Sequence, residues 1–281
     1  MTQISASMVR ELREKSGAGM MECKKALEAT GGDMEAAFDE LRKAGLKTAA
    51  KKAGRSTGEG RVVSRTSDDG HRGAMVAVAC ETDFVAKTPD FESWIRELVD
   101  HAFEHEPADV ETLLGQAWST GGTVGDSLQA LIGKLGENIQ VHQVQTYRNP
   151  EGQVAAYVHH DQRKGALVNV TTPADRAAAE GPLKDLCMHV VVYQPEAVDR
   201  DSIPAETVER EKAIIREGLS DKPPEIQEKI LGGRLDKFYA ERVVTEQPWI
   251  KDDKSSVAKA LGAALGEGTR VSGFARFQVG A

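Results

Sequence analysis

The sequence runs to 281 residues, 40% hydrophobic and 28% charged, enough ordinary globular chain for about two domains. Lys and Arg number 36 against 44 Asp and Glu; the net charge of −8 argues against a protein that coats duplex nucleic acid with a cationic face. No apolar run approaches the ~18 residues of a membrane helix. Met1-Thr2-Gln3-Ile4-Ser5 has neither a signal-peptide nor a transit-peptide profile, so a cytoplasmic chain is expected, with no membrane or direct nucleic-acid partner. Cys23, Cys80 and Cys187 are odd in number and far apart. They read as buried apolar groups in a reducing compartment, not as a disulfide or zinc framework.

Charge is unevenly spread. Residues 1–55 carry eleven Lys and Arg against eight Asp and Glu, and the remainder carries 25 against 36. The break falls at Gly54-Arg55-Ser56-Thr57-Gly58-Glu59-Gly60, a linker-like run. A small first unit, residues 1–55, is expected ahead of an acidic body. Its pattern predicts three short helices. The first carries Met8, Val9 and Leu12 on one face and stops at Ser16-Gly17-Ala18-Gly19. The second has Met20, Cys23 and Leu27 as its inward stripe and stops at Thr30-Gly31-Gly32. Asp33 caps the third, where Met34, Ala37, Phe38 and Leu41 repeat at helical spacing. Met21 is surplus to the second stripe and lies near Lys24 and Lys25. It is either covered by a lysine stem or part of a docking patch.

The body contains a duplication. Gly73-Ala74-Met75-Val76-Ala77-Val78 is followed five residues on by Asp83, and Gly165-Ala166-Leu167-Val168-Asn169-Val170 is followed five residues on by Asp175. Each run has a strand-like partner before it (61–64 and 154–158) across a polar turn, which predicts a hairpin. Each copy closes with Gly-Glu and another strand: Gly136-Glu137 before Ile139, and Gly266-Glu267 before Arg270. An α+β fold is expected, with two similar subdomains, residues 56–148 and 149–281, each a three-stranded antiparallel sheet with helices on one face. The copies differ after the Asp, which reads as a helix cap in both. Phe84 follows Asp83, whereas Arg176 follows Asp175. An aromatic at a helix tip either packs inward or meets a partner.

The second copy carries an insertion. After a helix with Leu183, Leu186, Cys187 and Val190 on one face, Ser202 and Pro204 open a helix bearing Val208, Ile215 and Leu219. Pro223-Pro224 breaks it, and a second helix bears Ile226, Ile230, Leu231, Leu235 and Phe238. A helical hairpin over about 202–243 is predicted, either a dimerisation or docking arm or a solvated protrusion.

Signals for catalysis are negative. No phosphate-cradling Gly-x-x-x-x-Gly-Lys-Ser/Thr loop, no dinucleotide Gly-x-Gly-x-x-Gly and no Cys-x-x-Cys occurs. His101-Ala102-Phe103-Glu104-His105 fits a zinc-hydrolase pattern, but Glu106-Pro107 ends its helix and no third ligand is evident; a solvated helix end is the expectation. His159-His160-Asp161 reads as an exposed turn, and His189 as a satisfied, partly buried histidine. Neither a metal nor a cofactor is expected.

Two long runs carry a resemblance. Ser16-Gly17-Ala18-Gly19-Met20-Met21-Glu22-Cys23-Lys24-Lys25-Ala26-Leu27 and Cys80-Glu81-Thr82-Asp83-Phe84-Val85-Ala86-Lys87 are similar to runs of bacterial translation elongation factor Ts. Gly136-Glu137-Asn138-Ile139, Met188-His189-Val190 and Gly273-Phe274-Ala275-Arg276-Phe277 resemble the same family. The resemblance spans nearly the whole chain. It implies a guanine-nucleotide exchange factor for elongation factor Tu, without covalent chemistry of its own. It also implies an N-terminal module similar to a ubiquitin-associated domain that docks on the partner's GTPase domain through Met20, Met21 and Lys24. In the family, the tip matched by Thr82, Asp83, Phe84 and Val85 disturbs the partner's Mg²⁺ and GDP site, its Phe wedging between helices. The hairpin is associated with dimerisation or further contacts, which would allow a homodimer or a two-plus-two complex with Tu. Family members often continue into a C-terminal helix where this sequence has Gly280-Ala281, and the turn around His159, a further partner contact by resemblance, is longer here. The alternative readings are a scaffold for ubiquitin-like ligands and a zinc metallopeptidase.

Overall fold

The computed structural model describes residues 4–219 and 223–280, apart from the side chains of Leu46 and Thr48. The first three residues of the opening run, residues 220–222 and Ala281 lie outside the described residues. Helix α1 (Ala6–Ser16) starts where Ser5 Oγ accepts the Met8 N–H at 3.2 Å, and ends at Gly17, whose φ of 66° suits a left-handed glycine cap. Helix α2 (Met20–Ala29) follows, and α3 (Met34–Lys52) begins at Asp33, whose carboxylate accepts the N–H groups of Glu35 and Ala36. Val9, Leu12, Cys23, Ala26, Leu27 and Ala37 form their common core.

Two residues expected on the inward faces are not there. Met20 is 49% exposed and Phe38 41%. The buried stripe of α2 is Cys23, Ala26 and Leu27, which leaves its first residue facing solvent. On α3 the packed face runs through Met34, Ala37 and Leu41, and Phe38 falls on its flank.

The chain divides into two compact units. One comprises the residues up to Val63, Val76–Gln145 and those from Gln278; the other comprises Ser64–Met75 and Thr146–Phe277. Strands β1 (Glu59–Thr66) and β2 (Arg72–Cys80) pair across a short turn, and β3 (Ile139–Arg148) lies on the other side of β2. The expected linker is therefore shorter at its far end, since Glu59 and Gly60 already belong to β1. Gly60 has φ 144°, and a Cβ there would collide with the Val78 carbonyl, so this crossing needs glycine. Between β2 and β3 come α4 (Asp83–Ala86), α5 (Pro89–His105), α6 (Val110–Gly115) and α7 (Val124–Leu135). Within the first unit α3 meets α7, where Arg42 pairs with Asp126 at 2.7 Å and Lys52 donates to the Gly136 carbonyl.

In the second unit β4 (Gly152–Val158) and β5 (Lys164–Thr171) are antiparallel, with Gly152 opposite Thr171 and Val158 opposite Gly165. Helix α8 (Arg176–Tyr193) packs on them, followed by the hairpin helices α9 (Ala205–Glu217) and α10 (Pro224–Arg242). A two-stranded sheet of β6 (Pro248–Trp249) and β7 (Asp252–Ser256), which the sequence pattern does not announce, leads into α11 (Val257–Leu265). Strand β8 (Arg270–Gln278) completes the sheet in the order β4-β5-β8. The α+β fold with two three-stranded sheets expected from the duplication is the one found. The hairpin holds two small clusters: Ile203 and Phe238 pack with Ala197 and Val243 at its root, and Ile215, Leu219 and Leu231 pack further out. Ile226, expected on the stripe, is exposed; it lies five positions before Leu231, a spacing that turns it off that residue's face.

His189 departs from expectation in the other direction, being wholly buried between the rings of Tyr193 and Trp249. Gln247 donates its Nε2 to the Glu241 carbonyl at 2.8 Å, which leaves its Oε1 as an acceptor for His189 Nε2 at 2.9 Å. The proton therefore sits on Nε2, and Nδ1 is buried with no partner. Burial holds the His189 pKa below its usual value. An unfolded His titrates near about 6.5, so below that pH the unfolded chain takes up a proton that the folded unit resists. The stability of this unit should be full above about pH 6.5 and fall toward pH 5. Thermal melts across that range check this; His189→Phe should flatten the pH dependence while lowering stability overall, because Gln247 Oε1 loses its donor.

Candidate functional site

Strand β2 ends at the buried Cys80, and the chain turns immediately into α4, a single helical turn. Its cap is not Asp83, as the sequence suggests, but Thr82, whose Oγ1 accepts the Val85 N–H at 3.3 Å. In the second copy Asp175 does cap its helix, accepting from Ala178 N–H at 2.8 Å. Asp83 instead becomes the first helical residue. Its carboxylate accepts from Lys87 Nζ at 2.7 Å, and that bond holds its pKa below the usual carboxylate range. Val85 and Ala86 turn inward and anchor the turn. Phe84 is 81% exposed, so the inward alternative for this ring does not hold.

Four partners fix the backbone beneath the ring. Glu137 Oε1 accepts the Thr82 hydroxyl at 2.6 Å and its Oε2 accepts the Thr82 N–H at 3.0 Å. Glu81 accepts the Asn138 N–H at 2.7 Å, which together with Arg55 lowers its carboxyl pKa. Arg61 Nε donates to the Ala86 carbonyl at 2.6 Å, and its Nη2 pairs with Glu92 at 2.7 Å. Cys80 Sγ donates to the Thr82 carbonyl at 3.1 Å; burial, reinforced by the charge of Glu137, pushes this thiol up to about 12. The sequence reading missed these supports. In the sequence Glu137 stands out as a landmark of the duplication and in the run Gly136-Glu137-Asn138-Ile139, but not as a brace, because its partner lies 55 residues away.

The other sequence candidates are distributed differently. Met20 and Met21 stand exposed at the start of α2, Met21 at 65%, and Lys24 on the same helix pairs with Glu28 at 3.7 Å. Phe38 adds a further exposed apolar side chain to this module. His159 belongs to the second unit, in the turn between β4 and β5; it is half-buried, and its Nδ1 lies 2.9 Å from the Tyr157 hydroxyl. The helix ends in solvent at His105, as expected, but His101 one turn earlier is half-buried. It stacks on His105 at 4.1 Å, packs against Trp118 and bonds Gln116 Oε1 through Nε2, and burial lowers its pKa. Among the described residues, no group of three or more His, Cys, Asp or Glu could hold a metal ion.

Comparison with known proteins identifies the frame in which this tip sits. The profile of the family described as Elongation factor TS matches residues 81–281. A protein named Elongation factor Ts from Prosthecochloris aestuarii is 42% identical over the whole of both chains. Another of that name, from Thioalkalivibrio sulfidiphilus, is 43% identical over 99% of this chain and 92% of its own. The chain belongs to the elongation factor Ts family. The stretch that matches the elongation factor Ts profile includes Thr82, Asp83, Phe84, Val85 and both bracing glutamates.

Exposure of Phe84 has a measurable corollary. Phe84→Ala should change stability by no more than about 0.5 kcal/mol, as exposed positions do, where truncating a buried Phe costs about 3–5 kcal/mol. A thermal melt of the variant alongside the parent distinguishes the two.

Proposed function

We propose that this chain is a guanine-nucleotide exchange factor for elongation factor Tu, and that the Phe84 tip is the element that acts on the partner's Mg²⁺ and GDP site. The observation that carries this reading is a nearly bare aromatic ring on a single helical turn whose backbone is held on every side. An exchange factor does no covalent chemistry and needs no nucleotide loop. It must bind the nucleotide-free partner more tightly than the GDP-bound one, and by linkage the same factor weakens GDP binding. Each ~1.4 kcal/mol of that difference is tenfold in affinity. A ring that finds apolar surroundings only in the opened partner supplies such a difference by burial. Asp83, kept ionised by Lys87, is suited to compete for groups that organise the metal.

The exposed Met20 and Met21 with Lys24 serve in this scheme as a docking patch that adds affinity without touching the nucleotide. His159 is a lesser contact from the second unit. The α9–α10 hairpin is assigned to self-association or to secondary contacts, in a homodimer or a two-plus-two complex with Tu.

Release of labelled GDP from elongation factor Tu, followed over a range of factor concentrations, tests both parts. Phe84→Ala should lower the saturated release rate by ten-fold or more, on the order of the loss of an interaction made only in the opened state. Met21→Ala and Lys24→Glu should raise the concentration needed for half-maximal release and leave most of the saturated rate. Wild-type release by Phe84→Ala would remove the tip from the mechanism, and unchanged concentration dependence in the α2 variants would remove the docking role.

A further inference from the structure

We propose that Glu137 is a positioning residue for the Phe84 tip, an inference that rests on the reading of that tip given above. Gly136, left-handed at φ 78°, closes α7 and delivers Glu137 to the mouth of β3. There two glutamates cross over. Glu81, next to the tip, accepts from Asn138 N–H; Glu137, next to Asn138, accepts from the N–H and the hydroxyl of Thr82. Each carboxylate thus ties the end of one segment to the start of the other. The hydroxyl of Thr82 spends its proton on Glu137, and so presents a lone pair to the Val85 N–H at the head of α4. Orientation passes from Glu137 through Thr82 into the one turn that carries Phe84.

The second copy separates positioning from folding. Its counterparts of Glu81, Thr82, Glu137 and Asn138 are Pro173, Ala174, Glu267 and Gly268. Ala174 has no hydroxyl, and its N–H donates to Thr172 Oγ1 at 3.2 Å. Glu267 is exposed. The same sheet-to-helix junction therefore forms without a carboxylate brace where the tip bears Arg176 in place of an aromatic. The carboxylate brace accompanies the ring; in the second copy a hydroxyl contact, Thr172 Oγ1 to Thr269 Oγ1 at 3.1 Å, joins the corresponding segments instead.

The test is a double-mutant comparison of GDP release from elongation factor Tu, at a temperature well below every melt, using Glu137→Ala, Glu137→Gln, Phe84→Ala and the Glu137→Ala/Phe84→Ala pair. Glu137→Ala should lower the saturated rate about ten-fold, the worth of a charge-assisted hydrogen bond, with little change in the half-saturating concentration. Glu137→Gln keeps one acceptor oxygen and should fall between it and the parent. In the Phe84→Ala background, Glu137→Ala should cost nothing further, because its effect runs through the ring. If Glu137→Ala does not fold, Glu137→Gln carries the same comparison. Release at the parental rate in the Glu137 variants, or a loss that persists in full without the ring, would overturn the positioning role while leaving the tip's role intact. Normal release by Phe84→Ala alone would overturn both.

Discussion

An aromatic ring held in water is a liability for a soluble chain, and its usefulness depends on how well its backbone is fixed. In this protein the fixing interaction is the two-point contact between the Glu137 carboxylate and Thr82. It satisfies the amide and hydroxyl of the residue that caps α4, and the remaining lone pair of that hydroxyl sets the helix start. The turn itself is too short to be stable alone, since one turn orders several residues for a single intrahelical bond. Inward packing of Val85 and Ala86, and the Arg61 bond to the Ala86 carbonyl, supply what propensity cannot. Preorganisation of this kind lowers the ordering cost at the moment of association.

The two copies of the β-β-α-β unit show what that arrangement adds to a common frame. Both build a three-stranded sheet, both leave a helix by a glycine before the last strand, and both start a helix just after the central strand. The second copy spends its variation elsewhere. It inserts α9 and α10, which carry their own small apolar clusters, and it buries His189 among aromatic rings near the hairpin's root. One copy diverged at a tip and the other at an insertion, while the frame itself was kept.

Much of this was readable from residues alone. Strand pairs, the Gly-Glu landmarks, the Asp33 cap and the inward row of α8 follow from local chemistry and period, and the duplication gave the topology. The failures share physical causes. Thr82 and Asp83 are both good capping residues, and only the tertiary partner Glu137 decides between them. Met20 and Phe38 lie next to the true stripes of α2 and α3, where period alone does not fix which row is buried. Whether Phe84 faces in or out depends on contacts made by Val85 and Ala86. The β6–β7 pair is too short for any period, and the unpartnered nitrogen of His189 depends on how Gln247 is oriented by carbonyls of the fold.

Cys80 has a consequence for how this molecule can be interrogated. Its thiol is buried directly behind the tip, bonded to the Thr82 carbonyl and held almost wholly protonated at neutral pH. An alkylating reagent can reach it only when this segment opens, so the labelling rate reports the free energy of local opening at that place. Cys23 lies in the helical module and Cys187 on the inward face of α8, each free and buried. The native chain thus carries a built-in thiol clock in three separate regions, able to time their breathing without a single engineered label.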